Sequence, residues 1–281
     1  MKKNVTMTSS GPIGIFDSGY GGLTILKAIR EQLPEYDYLY LGDNARAPYG
    51  TRSFDIIYRF TLEGVRELFD RGCRLVILAC NTASAKALRT IQQRDLPTID
   101  PTRRVLGVIR PTVEALSCSA TGNVGILGTV GTIASRSYEM EIAKLYPLYK
   151  TTTRACPLWV PLVENAETDG DGARFFVDKY INALFNDNPA VDTIVLGCTH
   201  YPLLLPLIEK AVDGRARILT QGDIVAASLA DYLHRHPEIE SRCSKTGEIT
   251  YLTTENPEKF SNLARVFLDT DINVHHIDIS Q

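Results

Sequence analysis

Runs of aliphatic and β-branched residues recur along this chain, separated by stretches whose apolar positions return every three or four residues. The runs predict strands at 12–17, 38–42, 74–79, 105–109, 123–128, 193–197 and 249–254, with a last one at 273–279. The clearest helix between them is 53–71, where Ile56, Ile57, Phe60, Val65, Leu68 and Phe69 recur at helical spacing and Gly72 supplies the stop. Alternating strands and helices mean βαβ units, so the expected class is α/β with largely parallel sheets.

One strand ending is used twice. Leu75-Val-Ile-Leu-Ala-Cys80-Asn-Thr82 and Thr193-Ile-Val-Leu-Gly-Cys198-Thr-His200 each run a buried strand into a cysteine, then polar residues, then a helix rich in Leu and Ala. Similar endings without the cysteine follow Ile13–Asp17 and Asn123–Gly128. The repetition predicts two pseudo-symmetric α/β domains with an active site in the cleft between them. The expected borders are residues 1–108 completed by 218–281 for one domain, and 109–217 for the other.

Composition narrows the function. A chain of 281 residues with 44% apolar content has ample material for a core and is no disordered segment. With 30 Lys plus Arg against 33 Asp plus Glu, and no basic cluster, it lacks the charge that nucleic-acid binding draws on. The longest unbroken apolar run, Leu75–Cys80, is six residues, far short of the ~20 needed to span a bilayer. Lys2 and Lys3 begin the chain, but residues 4–11 are mostly polar where a signal peptide needs an apolar stretch of roughly 7–15 residues. The expectation is a cytoplasmic protein whose partner is a small molecule, with no membrane and no nucleic acid.

In open α/β sheets ligands bind beyond the C-terminal strand ends, where helix N-termini offer free amides. Asp17 and Ser18 stand at the first such end, and Gly19, Gly21 and Gly22 let backbone approach closely. The glycines lack the spacing of a dinucleotide or phosphate loop, and a tight turn capped by Asp17 is the plainer alternative. The six cysteines, at 73, 80, 118, 156, 198 and 243, include no Cys-x-x-Cys pair and no zinc-ligand spacing. Cys80 and Cys198 sit where a helix dipole is expected to draw the thiol pKa from ~8.5 toward neutrality. Three chemistries suit them: a disulfide redox pair, a single-cysteine hydrolase using His200 and Asp17, or inversion at a carbon acid. The last needs a base on one face and an acid on the other, a task that two opposed cysteines fit.

Four runs sharpen the choice: Asp17-Ser-Gly-Tyr-Gly-Gly22, Gly42-Asp-Asn-Ala-Arg-Ala-Pro-Tyr-Gly50, Ala79-Cys-Asn-Thr-Ala-Ser84 and Gly197-Cys-Thr-His-Tyr-Pro-Leu-Leu204. They resemble the defining motifs of the glutamate racemases, in the cofactor-independent aspartate/glutamate racemase superfamily. Cys156-Pro-Leu-Trp-Val-Pro-Leu-Val-Glu164 resembles a further one, and the match runs in order from about residue 12 to about 225. The resemblance implies interconversion of L- and D-glutamate without cofactor or metal, supplying D-glutamate for peptidoglycan. It implies Cys80 as the base toward D-glutamate and Cys198 toward L-glutamate, with Asp17 orienting or deprotonating Cys80 and His200 doing so for Cys198. Asp17, Ser18, Tyr49, Gly50, Asn81, Thr82, Thr129, Thr132, Glu164, Thr199 and His200 match positions that bind or adjoin the substrate. A homodimer is among the assemblies the resemblance admits. The short leader before Pro12 sets the expectation that no activator works through a long N-terminal extension.

Some positions depart from the family pattern. Tyr20 replaces a small aliphatic residue, Asn44 and Ala47 replace Thr and a larger side chain, and Leu219-Thr-Gln-Gly-Asp223 replaces an Asp-Ser ending, leaving Gln221 and Asp223 without a role. Arg110 reads as a surface ion pair, His234 and His236 as a helix end, and Trp159 as core; Cys73, Cys118, Cys156 and Cys243 read as structural thiols. Cys198-x-His200 lacks the further ligands that zinc needs, and His275-His276 are strand neighbours that point to opposite faces. The competing functions are an aspartate or hydantoin racemase of the same superfamily and a non-catalytic amino-acid-binding protein.

Overall fold

The computed structural model describes residues 10–279; Lys2, Lys3 and most of the polar leader lie outside them. Ten strands form: β1 (Ile13–Asp17), β2 (Tyr38–Gly42), β3 (Leu75–Leu78), β4 (Arg104–Gly107), β5 (Asn123–Gly128), β6 (Lys150–Ala155), β7 (Thr193–Gly197), β8 (Arg217–Leu219), β9 (Ile249–Thr253) and β10 (Val274–His276). They make two sheets, ordered β10-β9-β2-β1-β3-β4 and β6-β5-β7-β8, and every pairing is parallel. Parallel strands with helical crossovers are buried on both faces, so β1, β2, β3 and β7 carry continuous apolar runs rather than alternating ones.

The same order, second-first-third-fourth, recurs in β1–β4 and in β5–β8, and β9 and β10 extend the first sheet beyond β2. Each sheet therefore reverses its winding beside its first strand, where an open α/β sheet leaves a crevice at the strand C-termini. Cys80 follows the third strand of the first set, and Cys198 follows the third strand of the second.

The expected strands are present, with corrections at their ends. The run 105–109 ends as β4 at Gly107, and Ile109 opens the helix Ile109–Glu114, whose first turn tolerates Pro111. The helix 53–71 is Phe54–Asp70, with Ile57, Thr61, Gly64, Val65, Leu68 and Phe69 buried, while Gly72 takes φ +99° just beyond it. Two strands fall outside the expected runs. β6 lies at a sheet edge, where its threonines are only partly buried and supply β-branched shape without hydrophobicity. β8, three residues long, closes the opposite edge.

One apolar cluster holds residues of both sheets, from Ile13 and Ile15 on β1 to Ile194 and Leu196 on β7. Trp159 lies fully buried in it, edge-on to Tyr201 with ring centroids 4.7 Å apart, its indole N–H donated to the Phe176 carbonyl at 3.3 Å. Among the described residues no helix is long and apolar enough to cross a membrane. Trp159→Ala removes the largest side chain of this cluster, and urea unfolding is expected to show a loss of about 3–5 kcal/mol.

Candidate active site

The C-terminal strand ends of both sheets converge on one cavity of about 180 Å³. That is below the ~300 Å³ at which pockets for drug-sized ligands begin, so the space suits a small metabolite. Ser18, Tyr49, Gly50, Cys80, Asn81 and Thr82 line it from the first sheet; Thr129, Glu164, Cys198, Thr199 and His200 line it from the second. Asp17 and Thr132, also expected at the site, are buried outside this lining. Thr132 supports the wall from behind, its hydroxyl 3.2 Å from that of Thr82 and 3.1 Å from that of Thr129.

Cys80 caps the helix Asn81–Lys86, its sulfur accepting from the Ala83 amide at 3.4 Å and lying 3.3 Å from the Ser18 hydroxyl. Cys198 departs from the expected placement: a 3₁₀ helix, Tyr201–Leu204, comes before the α-helix Leu205–Val212. Its sulfur instead lies 3.9 Å from His200 Nδ1, and His200 Nε2 lies 3.0 Å from Glu164 Oε1. The His200 ring also meets Phe267 edge-on at 5.6 Å, so contacts on several sides fix its orientation.

Burial dominates the electrostatics, against the expectation of thiols drawn toward neutrality. The Cys80 pKa is pushed up to about 11, first by desolvation and then by the nearby Asp17 carboxylate, outweighing the Ser18 and Ala83 hydrogen bonds. Cys198 is raised well above the ordinary value, again by burial first, and the charge of Cys80 opposes its ionisation. The resting cavity therefore presents two thiols. The wall offers hydroxyls and strand-end amides but no Lys or Arg side chain. Among the described residues no group of three or more His, Cys, Asp or Glu is placed to hold a metal ion.

Contacts between the two sides hold this arrangement shut. The Gly131 amide donates to the Gly50 carbonyl at 2.7 Å, the Thr24 hydroxyl to the Thr199 carbonyl at 3.1 Å, and the Thr82 and Thr129 hydroxyls meet at 2.9 Å. Gly21 makes the tightest approach: a Cβ there would lie 2.2 Å from Thr199 Oγ1 and 2.5 Å from His200 Nδ1.

Three residues with work at the site have no assignment from sequence. Asp43, buried at the end of β2, accepts hydrogen bonds from the Tyr49 hydroxyl and from Arg46, fixing the loop that carries Tyr49 and Gly50. Its place at a strand end within Gly42–Gly50 was the available signal. Gln221 and Tyr138 both bond the Asn81 side chain, and no linear spacing marks either. Arg110 does pair at the surface, with Glu114 at 2.7 Å and Glu141 at 2.5 Å, while Asp223 is exposed.

Asp17 is fully buried, with Oδ2 accepting from the Gly19 amide at 2.9 Å and Oδ1 without a partner. Burial raises its pKa to about 6, more than His200 and the Gly19 and Gly22 amides lower it. A folded-state pKa above the unfolded value means that the stabilisation belongs to the protonated form. It is complete below about pH 4 and is lost as pH rises through about 6. Asp17→Asn is thus expected to unfold at higher urea than the parent at pH 8, by roughly 3 kcal/mol, with the difference vanishing near pH 4.

The chain matches known proteins over nearly its whole length. The family described as Asp/Glu/Hydantoin racemase matches residues 21–229. A glutamate racemase of Ruegeria pomeroyi is 42% identical over 271 residues, covering 92% of this chain and 97% of the relative. Among solved structures, a glutamate racemase isoform from Bacillus anthracis superposes with a TM-score of 0.87 at 32% identity, covering 95% of this chain and 97% of that one. The glutamate racemase of Francisella tularensis, in complex with D-glutamate, gives 0.86 at 30% identity, with 96% and 98% covered. Shared sequence over nearly the whole length and a common two-domain fold lead to one assignment: the chain belongs to the Asp/Glu/Hydantoin racemase family, among its glutamate racemases.

Proposed function

We propose that this protein interconverts L- and D-glutamate by two opposed proton transfers at the α-carbon, one to or from Cys80 and the other to or from Cys198. The observation that carries the reading is the presence of two cysteines at equivalent strand ends of two like-ordered sheets, both lining one cavity. The glutamate racemases of Ruegeria pomeroyi and Bacillus anthracis, and the D-glutamate complex from Francisella tularensis, support glutamate over aspartate or a hydantoin.

The chemistry follows from the donors. Glutamate brings two carboxylates and an ammonium; Ser18, Thr82, Thr129, Thr199 and the neighbouring amides supply hydrogen bonds to the carboxylates. Asp17 or Glu164 offers the negative charge for the ammonium. As one face reacts, a thiolate takes the α-proton while the opposite thiol delivers its own proton to the other face, so charge is conserved and the configuration inverts. On this reading Asp17, whose pKa is raised to about 6, accepts the proton that Cys80 must lose, and His200, held by Glu164, accepts that of Cys198. The carbanion formed beside an ionised carboxylate has no electron sink here. Preorganised hydrogen bonds in a closed cavity must lower the barrier, because positioned acid/base chemistry supplies only about 10²–10⁴-fold.

The same reading takes 1–108 with 218–281 and 109–217 as the two domains, β8 standing at the border, and places the enzyme in the cytoplasm supplying D-glutamate for peptidoglycan. A homodimer is compatible with it.

Circular dichroism of either enantiomer incubated with the protein alone is expected to decay to zero. Cys80→Ala and Cys198→Ala should each lower turnover by about 10²–10⁴-fold or more. In deuterium oxide Cys198→Ala should label D-glutamate at the α-carbon without inverting it, because Cys80 still serves its own face. A pure binding protein labels neither enantiomer, and a single-cysteine hydrolase keeps its activity in one of the two variants.

A further inference from the structure

The chain crosses between the two sheets twice, once from β4 to β5 and once from β8 to β9. Thr112, on the helix Ile109–Glu114, stands on the first crossing; Gln221, which precedes the helix Gly222–Arg235, stands on the second. Their side chains meet, the Gln221 amide donating to Thr112 Oγ1 at 2.8 Å while the Thr112 hydroxyl donates to the Val108 carbonyl at 2.6 Å. Gln221 also closes a ring with two further residues. Asn81 Nδ2 donates to Gln221 Oε1 at 2.5 Å, Gln221 Nε2 donates to the Tyr138 hydroxyl at 3.0 Å, and that hydroxyl donates to Asn81 Oδ1 at 2.7 Å. A weaker reciprocal contact, Gln221 Nε2 to Asn81 Oδ1 at 3.3 Å, completes an amide pair. All four side chains are almost wholly removed from solvent: Gln221, Asn81 and Tyr138 at 2% exposure and Thr112 at 0%.

The ring touches both cysteine segments. Asn81 directly follows Cys80, and the Tyr138 ring packs on the backbone just ahead of Cys198: a Cβ added to Gly197 would lie 3.2 Å from Tyr138 Cε2. Gln221 and Cys198 also share the wall of a small recess of about 170 Å³ on the crossing side. Gln221 thus bonds the segment after Cys80, the helix that carries Tyr138 and, through Thr112, the other crossing. A buried polar ring in which every side-chain nitrogen and oxygen has a partner favours one arrangement of its members, since a shift strands an amide or a hydroxyl away from water.

We propose that Gln221 is a positioning residue for racemisation: through this ring it fixes the spacing of the segments that carry Cys80 and Cys198. The assignment rests on the reading of those cysteines as the two proton carriers. Gln221 touches no reacting atom; it acts through Asn81 and Tyr138. The Asn81 side-chain amide is committed to the ring, so its contribution to the cavity is chiefly its place beside Cys80 and its backbone.

Gln221→Leu and Tyr138→Phe, alone and combined, test the proposal, with kcat, KM and the α-deuterium isotope effect on kcat measured in both directions. Each single variant is expected to lose about tenfold or more in kcat, with KM changed less than about threefold, since a displacement of ~1 Å can cost about 10²-fold. The isotope effect should rise, because a misplaced sulfur slows proton transfer relative to binding and release. The double variant should lose little more than either single one, as both break the same ring. The isotope effect does not depend on the fraction of protein folded. A variant with lowered kcat and the parent's isotope effect therefore has only a structural lesion, and that result overturns the proposal. So does parental kcat in both single variants. If Gln221→Leu yields no folded protein, Tyr138→Phe decides by the same readout. Cys80→Ala and Cys198→Ala are assayed alongside: turnover retained in either sinks the two-cysteine reading, whereas their inactivity beside a parental Gln221→Leu sinks only the role of Gln221.

Discussion

Inversion at one carbon requires groups on both of its faces, and a polypeptide reaches both faces only by bringing two separate segments together around it. This chain does so with parallel sheets. A parallel strand delivers its last residue to the crevice at its C-terminal edge, and the strand order repeated in β1–β4 and β5–β8 gives that edge the same layout twice. Setting the two edges against each other places Cys80 and Cys198 across a common space, with Ser18 and Thr129 following the central strands.

Closure that excludes water has an electrostatic consequence. Burial holds both thiols protonated and lifts the Asp17 carboxyl into the range where it exchanges protons near neutrality. The resting site therefore lacks the thiolate that it needs for reaction. Forming a thiolate there depends on the neighbouring groups that can take up its proton and on hydrogen bonds to the charged form.

Much of this was readable along the chain, and the limits are physical. β1, β3 and β7 announce themselves because a strand buried on both faces must be apolar throughout, and Cys80 and Cys198 stand out because two such strands end alike. β6 escapes notice because an edge strand can be built from threonines. The thiol pKa values run opposite to the helix-dipole expectation because desolvation of a fully buried sulfur outweighs the field of a six-residue helix, and Cys198 begins no such helix. The partners of Asn81 and His200 come from distant segments: Gln221 and Tyr138 for one, Glu164 for the other. Linear spacing carries no trace of such meetings, though Glu164 was reachable through its motif.

The bare α-carbon of residue 21 has a mechanical meaning. With Thr199 and His200 pressed where its side chain would stand, that glycine sets the closest distance to which the halves can draw together. The jaws of the cleft meet where bare backbone on one side faces the Thr199 and His200 side chains on the other. Any larger residue there would hold the two sides apart, and with them the segments that carry Cys80 and Cys198.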